Sequence, residues 1–233
     1  MKVRTILFDL GDTLIRLHPL PELPTLLAPI LARQRGILPT EAMAMATQLV
    51  EQLGRQLAAE SKAGVTEEPG LGALIAPLID AEPEELAEIV RQFGEADVSR
   101  FEFPATGLSR IERFKTLGFC LGIVSNTTTS PDLLDEYLRG VGLLPLFDCV
   151  VYSVAKGQRK PHPELYRLAL REIGAEADST VFVGDRVRED VLGPRAVGMR
   201  AVLTQEFRQE PPAGSTPLAV ITRLEELEDV LSA

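Results

Sequence analysis

Apolar residues recur at two different spacings along the chain, and the change of spacing divides it. Near the start, Val3–Leu10 (VRTILFDL) is almost continuously apolar and β-branched up to an acid. That is the pattern of a strand buried on both faces of a parallel sheet. From residue 17 to 98 the spacing becomes helical. Leu23, Leu26, Leu27, Ile30 and Leu31 follow an i, i+3, i+4, i+7, i+8 stripe, and Pro29 is expected to kink or shorten that helix. Ala42, Ala46, Leu49, Val50, Leu53 and Leu57 make a second stripe; Leu86, Ile89, Val90 and Phe93 make a third. The stretch Lys62–Gly72, rich in Gly, Glu and Pro, reads as a loop.

After Phe103 the rhythm alternates. Helix is predicted over 108–117 ending at Gly118, strand over 119–124, and helix from the Ser130-Pro131 cap pair to Arg139 with Gly140 after it. Strand over 147–152, helix over 163–173, strand over 180–183, helix over 187–197, strand over 200–203 and helix over 223–231 complete the series. Strands alternating with helices imply right-handed crossover units and a doubly wound parallel sheet. The predicted fold class is therefore α/β, with a core from residues 1–16 and 99–233 and an inserted helical module over 17–98. The EPPAGSTP stretch around Pro211 reads as a surface loop.

Charge narrows the partners. The chain of 233 residues carries a net charge of −10, and residues 17–98 hold 13 acids against 5 bases. Nucleic acid and anionic membrane both bind largely through basic groups, so neither is expected as a partner. No apolar run approaches the roughly 18 residues of a membrane span, and no secretory signal pattern opens the chain. A cytoplasmic location is expected. Cys120 and Cys149 lie in apolar segments and read as two small buried hydrophobes.

Ligands of an open parallel sheet gather at the carboxyl ends of its strands. Four polar clusters fall at or just beyond such ends: Asp9-Leu10-Gly11-Asp12-Thr13, Ser125-Asn126-Thr127, Lys160-Pro161, and Gly184-Asp185 with Asp190 five residues on. Singly, each suits a turn or a helix cap as well as a site. In this order, each at a strand end, they form a set.

The set resembles the haloacid dehalogenase superfamily, whose hydrolases use an aspartate nucleophile. FDLGDTL is similar to its first motif, VSN to its second, KPHPELY to its third and VGDRVREDVLGPRAVGM to its fourth. The helical segment between the first two is similar to a C1-type cap. The resemblance implies a Rossmann-like core, Asp9 as nucleophile, and Mg²⁺ held by Asp9, Asp185 and the Gly11 carbonyl, with Asp190 acting directly or through water. It implies Ser125, Asn126 and Lys160 on the substrate phosphate, with Lys160 also tethering Asp9. These residue types suit the chemistry. Mg²⁺ takes oxygen ligands, an ordinary aspartate is ionised at neutral pH, and phosphoryl transfer depends on positioning and charge neutralisation.

One position departs from the pattern. Phosphatases of this family commonly carry a second aspartate two residues after the nucleophile, as general acid and base. Here that residue is Gly11, and Asp12 follows one place later. The expected activity is hydrolysis of a small phosphomonoester or acyl phosphate, favouring leaving groups that need no proton, with Asp12 the first candidate replacement. Two alternatives stand beside it: a weakly active phosphate- and metal-binding protein, and carbon–halogen hydrolysis, whose D-x-Y-G-T pattern this chain lacks. Lys62, the one lysine in 17–98, is the sole cap lysine a phosphonatase could use. His18 could reach the site from the linker, His162 reads as a helix-entry residue, and Arg186 and Arg188 read as solvated or paired with acids, Arg186 with a possible role towards an anionic substrate.

Overall fold

The structure, a computed structural model, describes residues 2–18, 23–63, 65–78, 82–212 and 214–232, without the side chains of 23, 26 and 56–63. The chain enters along β1 (Thr5–Phe8) and leaves the core along β2 (Arg16–Leu17). Four helices follow: α1 (Leu23–Arg35), α2 (Pro39–Ala63), α3 (Leu71–Ile75) and α4 (Pro83–Ser99). The chain returns along β3 (Phe101–Glu102), which pairs antiparallel with β2, Leu17 opposite Phe101. Then come α5 (Gly107–Thr116), β4 (Cys120–Ser125), α6 (Pro131–Gly140), β5 (Cys149–Tyr152), α7 (Pro163–Ile173) and β6 (Thr180–Gly184). A π-helical turn (Val187–Leu192), α8 (Gly193–Ala196), β7 (Arg200–Thr204), β8 (Ala219–Ile221) and α9 (Glu226–Ser232) complete the chain.

Six strands form one parallel sheet in the order β5-β4-β1-β6-β7-β8. The apolar runs have no visible alternation because both faces are covered. Ile6, Phe8, Ile123, Val181 and Val183 point to one face, against Ile111 and Phe114 of α5 and Leu134 and Leu138 of α6. Leu7, Val124 and Phe182 point to the other, against Leu165, Tyr166 and Ala169 of α7. Pleat alternation distributes one hydrophobic string between two cores. Helix α7 shows how local sequence fixes an element: His162 Nδ1 accepts the Glu164 amide at 3.3 Å, Pro163 opens the helix, and Gly174 closes it at φ 68°.

The four helices between β2 and β3 bury their own cluster, which includes Leu27 and Leu31 of α1, Leu49 and Leu53 of α2, Leu74 of α3 and Ile89 of α4. Their loop touches the sheet side at one place. Glu67 bridges Gln158 antiparallel, the Glu68 amide donates to the Gly157 carbonyl (3.0 Å), and the Arg159 amide donates to the Thr66 carbonyl (2.7 Å). No helix among the described residues is long and apolar enough to cross a membrane.

Several expectations are corrected. Pro29 lies inside α1 and faces outwards, while the flanking Leu27 and Leu31 are buried in the helical core. Residue 63, within the predicted loop, still belongs to α2, and Leu71 begins α3. Gly140 is the last residue of α6, and Gly142 takes the left-handed turn. The predicted helix over 187–197 is a π turn followed by the short α8. Cys120 is exposed at the start of β4, whereas Cys149 is buried, which pushes its thiol up to about 12. The side chains of Leu23, Leu26, Leu57 and Lys62 lie outside the described residues.

Candidate active site

β1 lies at the centre of the sheet between β4 and β6, so the residues that follow these three strands meet at one edge. Asp9 leaves β1, Ser125 ends β4, and Asp185 follows β6. The Lys160-Pro161 cluster arrives from the loop after β5. Lys160, 2% exposed, places Nζ 2.6 Å from Asp9 Oδ1 and 2.7 Å from Asp190 Oδ1. The other Asp9 oxygen accepts the Thr13 hydroxyl at 3.2 Å.

Asn126 fixes this lysine from behind. Its side-chain oxygen accepts the Lys160 amide (2.7 Å), and its Nδ2 donates to the Lys160 carbonyl (3.0 Å). The π turn brings Asp190 back toward the strand end, where its Oδ2 accepts the Arg186 amide at 3.0 Å. That approach requires a glycine at 184, since a Cβ there would lie 2.3 Å from Asp190 Cγ. Tyr166 steadies the turn by donating its hydroxyl to the Glu189 carbonyl.

Asp9, Asp185 and Asp190 are all buried and offer oxygens within 4.8 Å of one another. The charges are incompletely balanced. Burial, reinforced by Asp9 and Asp190, holds the Asp185 carboxyl well above the usual carboxylate range. Burial also raises Asp190, against the pull of Lys160. Burial lowers the Lys160 ammonium, but the attraction of Asp190 and Asp9 outweighs it and the net shift is upward. Asp185 Oδ2 is sealed from solvent and makes no hydrogen bond, although Arg208 Nε lies 2.8 Å away. The distance shows an ion pair, while the N–H direction misses the oxygen. Three hard carboxylates with a surplus of negative charge and an unsatisfied oxygen fit a divalent cation such as Mg²⁺.

A cavity of about 440 Å³ opens beside these groups, between the helical insert and the sheet. Its polar wall includes Ser125, Asn126 and Thr127, its apolar wall Leu53, Phe93 and Phe101, and its charged wall Arg159 and Arg186. Arg186 is exposed on this wall and has no carboxylate within 4.0 Å among the described residues; Arg188 sits half-buried on the π turn. Glu68, brought in by the insert loop, accepts the Ser153 hydroxyl at 3.1 Å.

Two candidate participants, Asp12 and His18, stand apart from the cluster. Asp12 has φ 55°, and its Oδ1 accepts the Leu17 amide at 3.0 Å, closing the turn after β1. Gly11 is crowded, since a Cβ there would lie 2.7 Å from Leu17 Cδ1. His18 pairs with Glu102 across the β2–β3 ribbon, and His162 caps α7. Sequence reasoning missed Arg208, whose loop carries no motif, and Glu68, whose placement depends on the bridge at Glu67.

The chain is similar in sequence and in fold to known proteins. Over 134 residues the chain is 32% identical to a glyceraldehyde 3-phosphate phosphatase of Methanothermobacter thermautotrophicus, covering 55% of this chain and 58% of that protein. Over 104 residues it is 38% identical to a phosphoserine phosphatase of Thermus thermophilus, covering 44% and 41%. The chain thus spans about half the length of these relatives. The crystal structure of a HAD phosphatase from Thermococcus onnurineus superposes with a TM-score of 0.69 at 26% identity, covering 99% of this chain and 98% of that one. A family model described as haloacid dehalogenase-like hydrolase matches residues 3–198, and with four polar clusters converging at the edge of this sheet, the chain belongs to that family.

Proposed function

We propose that the chain is a cytoplasmic, Mg²⁺-dependent phosphatase that hydrolyses a small phosphate ester or acyl phosphate through an aspartyl-phosphate at Asp9. The observation that carries this reading is the buried bridge Asp9–Lys160–Asp190 beside Asp185, at the carboxyl edge of the central strands. Relatives named as phosphatases support the reaction class.

Asp9 attacks phosphorus through the oxygen that Lys160 does not hold, and the bond from phosphorus to the leaving oxygen breaks. Lys160 supplies positive charge and fixes the angle of Asp9. Ser125 and the backbone amides after β4 hold the non-bridging oxygens. Asp9, Asp185, Asp190 and the Gly11 carbonyl would hold Mg²⁺, which supplies charge neutralisation for the transferring phosphoryl group. Water then attacks the aspartyl-phosphate, releasing phosphate and restoring the carboxylate. Asn126 serves this scheme as a clamp on the Lys160 backbone. Asp12 serves as a turn former, since its carboxylate is engaged by the Leu17 amide.

With glycine at position 11, neither step has a dedicated proton carrier. Aryl and acyl phosphates are therefore favoured over alkyl phosphates, and the second step is slow enough to give a burst. The segment 17–98 acts as a helical cap over the cavity, the core being 1–16 and 99–233. The test is a panel of phosphate esters with and without Mg²⁺ beside Asp9→Asn. Loss of turnover in the variant is expected, and activity surviving in Asp9→Asn rejects the mechanism.

A further inference from the structure

Arg208 leaves a turn that is firmly attached to the sheet. The Gln205 amide donates to the Ile221 carbonyl (2.8 Å), its side chain donates to the Glu210 carbonyl (3.0 Å), and the Gln209 side chain donates to the Gln205 carbonyl (2.7 Å). From that turn Arg208 Nε reaches to 2.8 Å from Asp185 Oδ2, and both atoms are shut away from solvent. Lys160 holds Asp9 and Asp190 but not Asp185. Among the described residues, Arg208 is the one cation within 4.0 Å of Asp185.

We propose that Arg208 is a built-in counter-ion for Asp185 that competes with Mg²⁺ for the same carboxylate oxygen. The proposal rests on the metal reading given above. A guanidinium 2.8 Å from Oδ2 stands in the space through which a metal would approach that oxygen, and it repels an incoming dication. It also relieves the repulsion among three buried carboxylates when no metal is present. Arg208 therefore stabilises the metal-free protein and weakens metal binding. No family motif contains it, and it sits beyond the last recognised cluster.

The experiment compares wild type with Arg208→Met and Arg208→Lys, each alone and with Asp185→Asn. Mg²⁺ affinity is read by isothermal titration, and the melting temperature is read in EDTA and in Mg²⁺. Arg208→Met is expected to tighten Mg²⁺ binding by about tenfold and to melt lower than wild type in EDTA. Arg208→Lys should stay near wild type in both measurements. With Asp185→Asn present, Arg208→Met should change neither quantity, because the pair is already broken. Unchanged or weaker Mg²⁺ affinity in Arg208→Met overturns the proposal, weaker affinity meaning that Arg208 orients Asp185 for the metal. An unchanged metal-free melting temperature overturns the counter-ion role. If neither wild type nor Arg208→Met binds Mg²⁺, the metal reading fails and competition fails with it; the metal-free melting comparison then decides by itself whether Arg208 balances Asp185.

Discussion

An aspartate at position 11, with Leu17 cut back to make room for it, should add the missing proton carrier. The geometry sets two opposing effects. Leu17 Cδ1 lies 2.7 Å from where a Cβ on residue 11 would stand, so Gly11→Asp alone overpacks the turn. Such insertions cost about 1–3 kcal/mol, and at about 2–4 °C per kcal/mol for a domain of this size the single variant should melt several degrees lower. Gly11 itself has a φ that any residue can adopt, so the clash is with the side chain alone. Leu17→Ala removes the clashing atoms and should restore most of the lost stability. A positioned acid and base contributes about 10²–10⁴ in rate. The double variant should therefore turn over an alkyl phosphate at least about tenfold faster than Leu17→Ala, with a smaller gain on 4-nitrophenyl phosphate. Its burst should also shrink as the second step quickens. Rapid-quench and steady-state kinetics on both substrates read this directly. A double variant that folds, binds Mg²⁺ and shows no gain over Leu17→Ala would mean that position 11 is not where this site needs its acid.

Lys160→Met leaves two buried carboxylates without their shared cation, a change that typically costs about 3–5 kcal/mol. Calorimetry in EDTA should show the loss, Mg²⁺ should restore part of it, and a melting temperature within a degree or two of wild type in EDTA would contradict the bridge. Asp12→Asn keeps the bond to the Leu17 amide and tolerates positive φ, so kcat should stay within about threefold; a loss of 10² or more would make Asp12 the proton carrier. Gly184→Ala drives a methyl into Asp190 and should lower both Mg²⁺ affinity and stability, seen by titration and melting. Burial keeps the Cys149 thiol protonated at pH 8, since its pKa is pushed up to about 12. Iodoacetamide should therefore modify one thiol, at exposed Cys120, in folded protein and two in denaturant, by mass spectrometry.

The strands could be read because their residues are apolar for a physical reason: both faces of the sheet are covered. The strand-end clusters could be read because order along the chain and the crossover rule bring successive strand ends to one edge. Other features depend on contacts between distant segments. Two residues of β2 against two of β3 are too short to leave a periodic signal. The approach of Leu17 to Gly11 follows from that ribbon, and with it the meaning of the glycine. Asn126 reads as a phosphate ligand beside Ser125, but its side chain faces the Lys160 backbone. Arg208 comes from an irregular turn, where no spacing constrains a side chain until its anchoring bonds are known.

The bridge at Glu67 and Gln158 lies two residues from Lys160 along the chain. A swing of the helices about β2 and β3 would strain the bond from the Arg159 amide to the Thr66 carbonyl, and so tug on the loop that carries the lysine. On the proposed reading of these helices as a cap, admission of a substrate and alignment of the nucleophile would be mechanically linked: with the door open, the latch that sets Asp9 would lose a neighbouring support.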